Sequence, residues 1–112
     1  MPTQLDFQIQ QRLGLPIDQV TRFCQHWHIV ELSLFGSVLG DQFHPDSDID
    51  ILICFASDTS QGLLTLAKIK YDLEAKTGRT IDIALKKAVE DSENWIRRHE
   101  ILKTAQVIYE QR

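Results

Sequence analysis

Two acidic residues, Asp48 and Asp50, open an apolar stretch of the sequence that otherwise favours a buried β-strand. Side chains two positions apart on a strand point to the same face of a sheet, so these two carboxylates are expected side by side. Placing two negative charges together in a buried position costs free energy unless a cation lies between them. The stretch therefore predicts a strand whose first residues bind a divalent metal ion.

A Gly-Ser turn precedes these acids at the end of an earlier apolar run, where Gly36 and Ser37 follow Leu34-Phe35. A turn of this kind that enters a helix presents backbone N–H groups and a hydroxyl, which are suitable donors to a phosphate group. The turn and the acidic strand together predict a site for a metal ion and a phosphate group.

A third acid, Asp82, lies between Ile81 and Ile83 in a later apolar segment. If the second and third predicted strands are neighbours, we expect Asp48, Asp50 and Asp82 to converge at one edge of the sheet. Three carboxylates, completed by phosphate oxygens and water, are typical ligands of Mg²⁺. Two such ions about 3.5–4 Å apart can hold the attacking and leaving oxygens of an in-line phosphoryl displacement, which requires no side-chain nucleophile.

The hydrophobic periodicity predicts a small α/β domain in which helices pack on a mixed β-sheet. The three predicted strands cover residues 28–35, 48–55 and 79–85, with a loop at 44–47 and a turn at 56–60. Helices are predicted at 4–13 (a short helix or an ordered arm), from Ile17 onwards, at 37–42 (a short helix or a helical turn), at 61–76, and from Asp91 or Ser92 to about Tyr109. The expected apolar anchors of the last two helices include Tyr71, Trp95, Ile101, Leu102, Ala105 and Ile108.

The length and charge of the chain limit its class. A chain of 112 residues supports one core, so we expect one domain over 1–112 with an N-terminal arm or short helix at 1–14. A net charge of −4 argues against a free-standing nucleic-acid-binding protein. Cys24 and Cys54 lie in apolar segments and are expected to be free thiols. With no targeting signal and no apolar run of about 18 residues, a cytoplasmic protein without membrane contact is expected.

Other patterns have simpler explanations. By itself, the acidic turn at 46–48 is typical of an Asx-turn that opens a strand. His26 and His28 lack the i,i+4 spacing that places two metal ligands on one helical face. Arg97 and Arg98 lie among acidic residues and indicate a solvated helix face, with a partner-binding surface as the alternative. Neither the P-loop motif nor the dinucleotide-binding glycine motif is present.

The spacing of the acidic and glycine motifs resembles that of a known superfamily. Gly36-Ser37, ten residues, and then Asp48-Ile49-Asp50 are similar to the G-S-x10-D-x-D motif of DNA-polymerase-β-like nucleotidyltransferases. The segments S-L-F-G-S-V-L, P-D-S-D-I-D-I-L and G-R-T-I-D-I resemble the minimal nucleotidyltransferases, the MntA-type antitoxins encoded beside HEPN-domain RNase toxins. The resemblance covers about residues 15–110.

This resemblance implies a fold like the polymerase-β palm and an enzyme that uses ATP and Mg²⁺, with two ions expected. Its acceptor would be a tyrosine hydroxyl of the cognate HEPN toxin, which would be silenced by AMP. By position, Gly36 and Ser37 would bind the triphosphate, and Asp48 and Asp50 would bind the nucleotide through the metal ions. Asp82 would bind the catalytic metal and help to activate the acceptor.

The chain departs from the family pattern at Gly40, where many relatives carry an arginine. Two alternatives to protein adenylylation remain. The acceptor could be a small hydroxyl compound, although enzymes of that kind generally carry an additional domain that shapes the acceptor pocket. The chain could also be a non-catalytic antitoxin that neutralises the toxin by stoichiometric binding. The small size and the acidity of the domain favour a protein acceptor and no direct contact with nucleic acid.

Overall fold

The computed structural model describes residues 7–56 and 62–111. Within these ranges the helices are α1 (Phe7–Leu13), α2 (Ile17–Trp27), a 3₁₀ helix (Gly36–Leu39), α3 (Leu63–Thr77), α4 (Lys86–Glu90) and α5 (Trp95–Thr104). The strands are β1 (Ile29–Phe35), β2 (Ile49–Phe55), β3 (Ile81–Leu85) and β4 (Gln106–Glu110). None of the helices in the described ranges is long and apolar enough to cross a membrane.

The four strands form one mixed sheet in the order β3-β2-β1-β4. Strand β2 is parallel to β3 and antiparallel to β1, and β1 is antiparallel to β4. The parallel pair needs a crossover, which α3 supplies between β2 and β3. The predicted fold class, a small mixed sheet packed by helices, is therefore confirmed.

The core lies around β2, where Ile49, Ile51, Leu52 and Ile53 are all buried. Because both faces of a central strand are covered, its sequence is a nearly continuous apolar run, and the carboxylate of Asp50 interrupts that run. The N-terminal segment contributes to the core through Ile9 and Leu13 of α1. Of the predicted arm or short helix at 4–13, the part from residue 7 onwards is helical, and the earlier residues lie outside the described ranges.

The predicted final helix from Asp91 or Ser92 to about Tyr109 is wrong. The structure has the shorter helix α5, which is capped at Asn94 by a hydrogen bond that the Arg97 backbone N–H donates to the Asn94 side chain (3.1 Å). After Ala105 the chain continues as β4, which pairs with the otherwise unpaired side of β1. Ladder hydrogen bonds to β1 explain why this tertiary pairing overrides a helical pattern.

Two of the predicted apolar anchors are also wrong, because Tyr71 and Trp95 do not pack into the core: Tyr71 is 77% exposed and Trp95 is 64% exposed. In α3 the buried anchors are Ile69 and Leu73. Helix α4, which begins directly after β3, was not predicted. The first residue of the predicted helix at 61–76, and all of the predicted turn at 56–60 except Ala56, lie outside the described residues.

Candidate functional site

Two carboxylates lie opposite each other on the parallel strands β2 and β3. Asp50 and Asp82 are register partners, so the prediction that the second and third strands are neighbours is confirmed. Both side chains line a cavity of about 400 Å³. The other lining residues come from the end of β1, from β3 and from α5; they are Phe35, Gly36, Ile83, Ala84, Arg97, Glu100 and Ile101.

The electrostatics of this cavity centre on Asp50, which is half-buried. Burial raises the pKa of the Asp50 carboxyl, and the neighbouring charges of Asp82 and Asp48 raise it further, whereas Arg97 lowers it. The carboxylates therefore repel one another in the metal-free protein. A cation bound between them would relieve this repulsion.

Gly36 lines the cavity directly beside the Asp50 carboxylate. Its backbone has a φ of +80°, a conformation that residues with a side chain rarely adopt. A Cβ atom at this position would overlap Oδ2 of Asp50. Only glycine permits this close approach between the backbone at the start of the 3₁₀ helix and the carboxylate on β2.

Two predicted site residues do not line the cavity, namely Ser37, which follows Gly36, and Asp48, which lies two positions before Asp50. Ser37 is half-buried in the 3₁₀ helix, and Asp48 is exposed one position before β2. Among residues 7–56 and 62–111, no set of three or more Asp, Glu, His and Cys side chains is arranged to hold a metal ion. The structure thus brings together Gly36, Asp50 and Asp82.

The donor set in the cavity nevertheless suits a hard divalent cation. Asp50 and Asp82 supply carboxylate oxygens only, which are the ligands that Mg²⁺ prefers. Mg²⁺ commonly retains several waters and takes one or two carboxylates together with substrate phosphates. A pair of carboxylates facing a Gly-Ser turn meets that requirement once a nucleotide contributes its phosphate oxygens.

Sequence reasoning did not place Arg97 and Glu100 in the site. The sequence indicates a solvated helix face for Arg97. The residue is exposed, but it also lines the cavity and lowers the pKa of Asp50. A usable signal was its spacing, because Arg97 lies four residues before Ile101 and so shares its helical face. Ile101 is the buried residue of α5.

Comparison with known proteins identifies the domain. A family model described as a nucleotidyltransferase domain matches residues 13–108. A protein of Methanocaldococcus jannaschii named "Putative protein adenylyltransferase" is 41% identical over 51 residues, covering 46% of this chain and 53% of that protein. The match thus spans about half the length of this curated relative.

Solved structures share the fold. A "putative minimal nucleotidyltransferase" has a TM-score of 0.62 and 28% identity, covering 80% of this chain and 86% of that one. A toxin–antitoxin structure with AMP-PNP has a TM-score of 0.66 at 16% identity, covering 88% and 76% of the two chains. The toxin–antitoxin MntA-HepT gives 0.57 at 13% identity, covering 85% and 70%. At such low identities the last two show the fold alone. From the family match over most of its length, the chain belongs to the nucleotidyltransferase domain family.

Proposed function

We propose that this protein transfers AMP from ATP to a tyrosine hydroxyl of a cognate HEPN-family RNase toxin and thereby acts as its antitoxin. The observation that carries the proposal is the register pair Asp50–Asp82, which faces Gly36 in one cavity. Membership of the nucleotidyltransferase domain family supports the reaction class. The relatives named as a protein adenylyltransferase and as a toxin–antitoxin with AMP-PNP support the nucleotide and the kind of acceptor.

In this proposal the triphosphate lies against the start of the 3₁₀ helix, where the backbone N–H groups and hydroxyl of Gly36 and Ser37 donate to it. Asp48, Asp50 and Asp82 would hold two Mg²⁺ ions together with phosphate oxygens. When bound, Mg²⁺ neutralises phosphate charge and lowers the pKa of the acceptor hydroxyl. Arg97 adds a positive charge on the α5 side of the cavity.

The proposed reaction is an in-line displacement. The tyrosine oxygen attacks the α-phosphorus of ATP and forms the new P–O bond, while the bond from that phosphorus to the bridging oxygen of the β-phosphate breaks. Pyrophosphate leaves with the bonding electrons, and the hydroxyl proton passes to Asp82 and then to water. The protein contributes mainly orientation of the two reactants and electrostatic stabilisation of the transition state.

The surface beside the cavity supports a protein acceptor over a small molecule. Asp82, Arg97 and Glu100 are exposed, so the cavity opens to solvent and does not enclose an acceptor. Trp95 and Ile96, directly before Arg97, are exposed large apolar residues. Apolar side chains of this size in exposed positions commonly mark protein contacts. We therefore place the acceptor protein on the first turn of α5, next to the carboxylates.

The proposal is tested by incubating the cognate HEPN toxin with the protein, ATP and Mg²⁺, followed by intact-mass analysis and peptide mapping. The expected result is one or more AMP units on a toxin tyrosine. The Asp82→Asn variant is expected to keep its circular dichroism spectrum and to give no adduct. A toxin that is inhibited but unmodified would overturn catalysis and favour stoichiometric binding. An Asp82→Asn variant with full activity would overturn the role of that carboxylate.

A further inference from the structure

The segment between the Gly-Ser turn and the acidic strand, residues 37–48, is held by two arginines that lie outside it; we call this segment the motif loop. The first is Arg12 of α1. Its Nη1 group donates hydrogen bonds to the carbonyl oxygens of Val38 (2.7 Å) and Gly40 (2.8 Å). Carbonyls at a helix end lack partners within the helix, so the guanidinium satisfies the end of the 3₁₀ helix.

The second is Arg79, which lies between α3 and β3, three residues before Asp82. Its Nη2 group donates to the carbonyl oxygens of His44 (2.9 Å) and Ser47 (3.1 Å). Arg79 therefore connects the end of the motif loop, just before Asp48, to the strand that carries Asp82.

Phe43 links the two arginines in the middle of the motif loop. The guanidinium carbon of Arg79 lies 4.3 Å from the centroid of the Phe43 ring, and that of Arg12 lies 5.3 Å from it. Both distances are within the range of a cation–π interaction. The ring itself packs against the hydrophobic core, so one aromatic side chain anchors both guanidinium groups.

The partners of these guanidinium groups define their role. All four of these hydrogen bonds end on backbone carbonyls of the motif loop. Arg12 acts at the end that follows Gly36, and Arg79 acts at the end that precedes Asp48.

The β1–β2 ladder, in which Phe35 and Asp50 are register partners, already fixes Gly36 beside Asp50. The two arginines therefore act on the loop itself and on its first and last residues, Ser37 and Asp48. Neither arginine lines the cavity.

We propose that Arg12 and Arg79 are positioning residues for AMP transfer, which fix the motif loop so that Ser37 and Asp48, at its two ends, stay in place beside Gly36 and Asp50. This inference rests on the proposed function. Helix α1 then has two roles: it contributes apolar side chains to the core, and it positions the motif loop through Arg12.

The test replaces each arginine by methionine, which keeps an unbranched apolar stem but removes the guanidinium. Arg22→Met is the matched control, because Arg22 is exposed on α2 and lines a different cavity. Hydrogen exchange is measured on the nucleotide-free protein, and KM for ATP and kcat are measured in toxin modification. In Arg12→Met and Arg79→Met we expect amides of residues 37–48 to exchange at least about tenfold faster.

We also expect KM for ATP to rise about tenfold in both variants, since small displacements of positioned groups have effects of this order or larger. A merely structural role would reduce the folded fraction and thus the apparent kcat, but it would leave KM unchanged. Unchanged exchange in the motif loop, or a KM equal to that of Arg22→Met, would overturn the inference. If the wild-type protein transferred no AMP, the proposed function would fail, while exchange and the Kd for ATP would still decide the role of the arginines.

Discussion

At residue scale, the site depends on the close approach of the Gly36 backbone to the Asp50 carboxylate, which a side chain at position 36 would prevent. In Gly36→Ala, the positive φ costs roughly 1–3 kcal/mol. The new Cβ must also displace the Asp50 carboxylate. We expect AMP transfer to fall at least about 100-fold, because a displacement of reacting groups by about 1 Å has that effect. Initial rates of toxin modification at saturating ATP measure this.

Gly78→Ala is the matched control for this substitution. Gly78 has a similar φ of +72°, but a Cβ atom there meets nothing within 4 Å. The control variant therefore has a comparable backbone strain without any effect on the carboxylate. We expect it to be less stable than the wild type and to have an unchanged rate per folded molecule. Equal rates in the two alanine variants would contradict the role assigned to Gly36.

The charge of Asp50 gives a second prediction at this scale. Burial and the carboxylates nearby raise the pKa of Asp50 in the folded protein above its unfolded value. The stabilisation that the neutral Asp50 carboxyl group gives the folded protein is fully present below the pKa of the unfolded chain. It is lost as the pH rises through the raised pKa of the folded protein. At neutral pH, the ionised Asp50 therefore destabilises the metal-free protein, and Asp50→Asn removes this cost.

We expect Asp50→Asn, in EDTA at pH 7, to have a higher urea midpoint than the wild type and to lose AMP transfer. The difference in midpoint should shrink as the pH is lowered through the raised pKa. Asp41→Asn is the control, because Asp41 is exposed and does not line the cavity. A lower midpoint for Asp50→Asn than for Asp41→Asn would show that the carboxylate stabilises the fold instead.

The sequence predicts that Asp50 meets Asp82, but it does not predict that Asp48 is exposed and outside the cavity. An acid flanked by isoleucines on each of two successive strands indicates a shared position, and β2 and β3 place Asp50 beside Asp82. It was not sufficient for Arg97, because that assignment required the packing of α5 on the sheet. Nor did it reveal that Arg12 contacts the carbonyl of Gly40, since these residues are 28 positions apart.

At the scale of elements, the C-terminal segment shows the limit of periodicity. Ile101, Ala105 and Ile108 are spaced as on one helical face, yet Ile101 belongs to α5 and Ile108 to β4. Both isoleucines are buried, so burial alone did not distinguish a helix from a strand. The deciding factor was the unpaired side of β1, which local sequence does not reveal.

The contribution of β4 is tested by Ile108→Ala. Ile108 is 1% exposed, and removing a buried isoleucine side chain costs roughly 2–5 kcal/mol. Urea denaturation should show that loss in the free energy of unfolding. Lys103→Ala, at an exposed position on α5, should change it by no more than about 0.5 kcal/mol. A similar, small effect of both substitutions would contradict the packing of β4 in the core.

At the scale of the whole molecule, the exposed apolar residues next to the cavity predict where the acceptor protein binds. Trp95→Ala/Ile96→Ala should weaken toxin binding about tenfold or more, since aromatic anchors dominate many interfaces. Leu64→Ala/Tyr71→Ala is the matched control, because both residues are as exposed as the α5 pair and neither lines the cavity. Titration calorimetry of each variant with the toxin gives the affinities. Equal losses in the two double variants would contradict docking at α5.

The central claim is that Asp50 and Asp82 form a nucleotidyl-transfer centre, and labelled ATP tests it most directly. The toxin is incubated with the protein, Mg²⁺ and ATP that carries label at either the α- or the γ-phosphate. We expect label on the toxin from α-labelled ATP alone, release of γ-label as pyrophosphate, and neither event with Asp50→Asn or Asp82→Asn. Transfer of γ-label to the toxin, or undiminished α-label transfer by both asparagine variants, would contradict the claim.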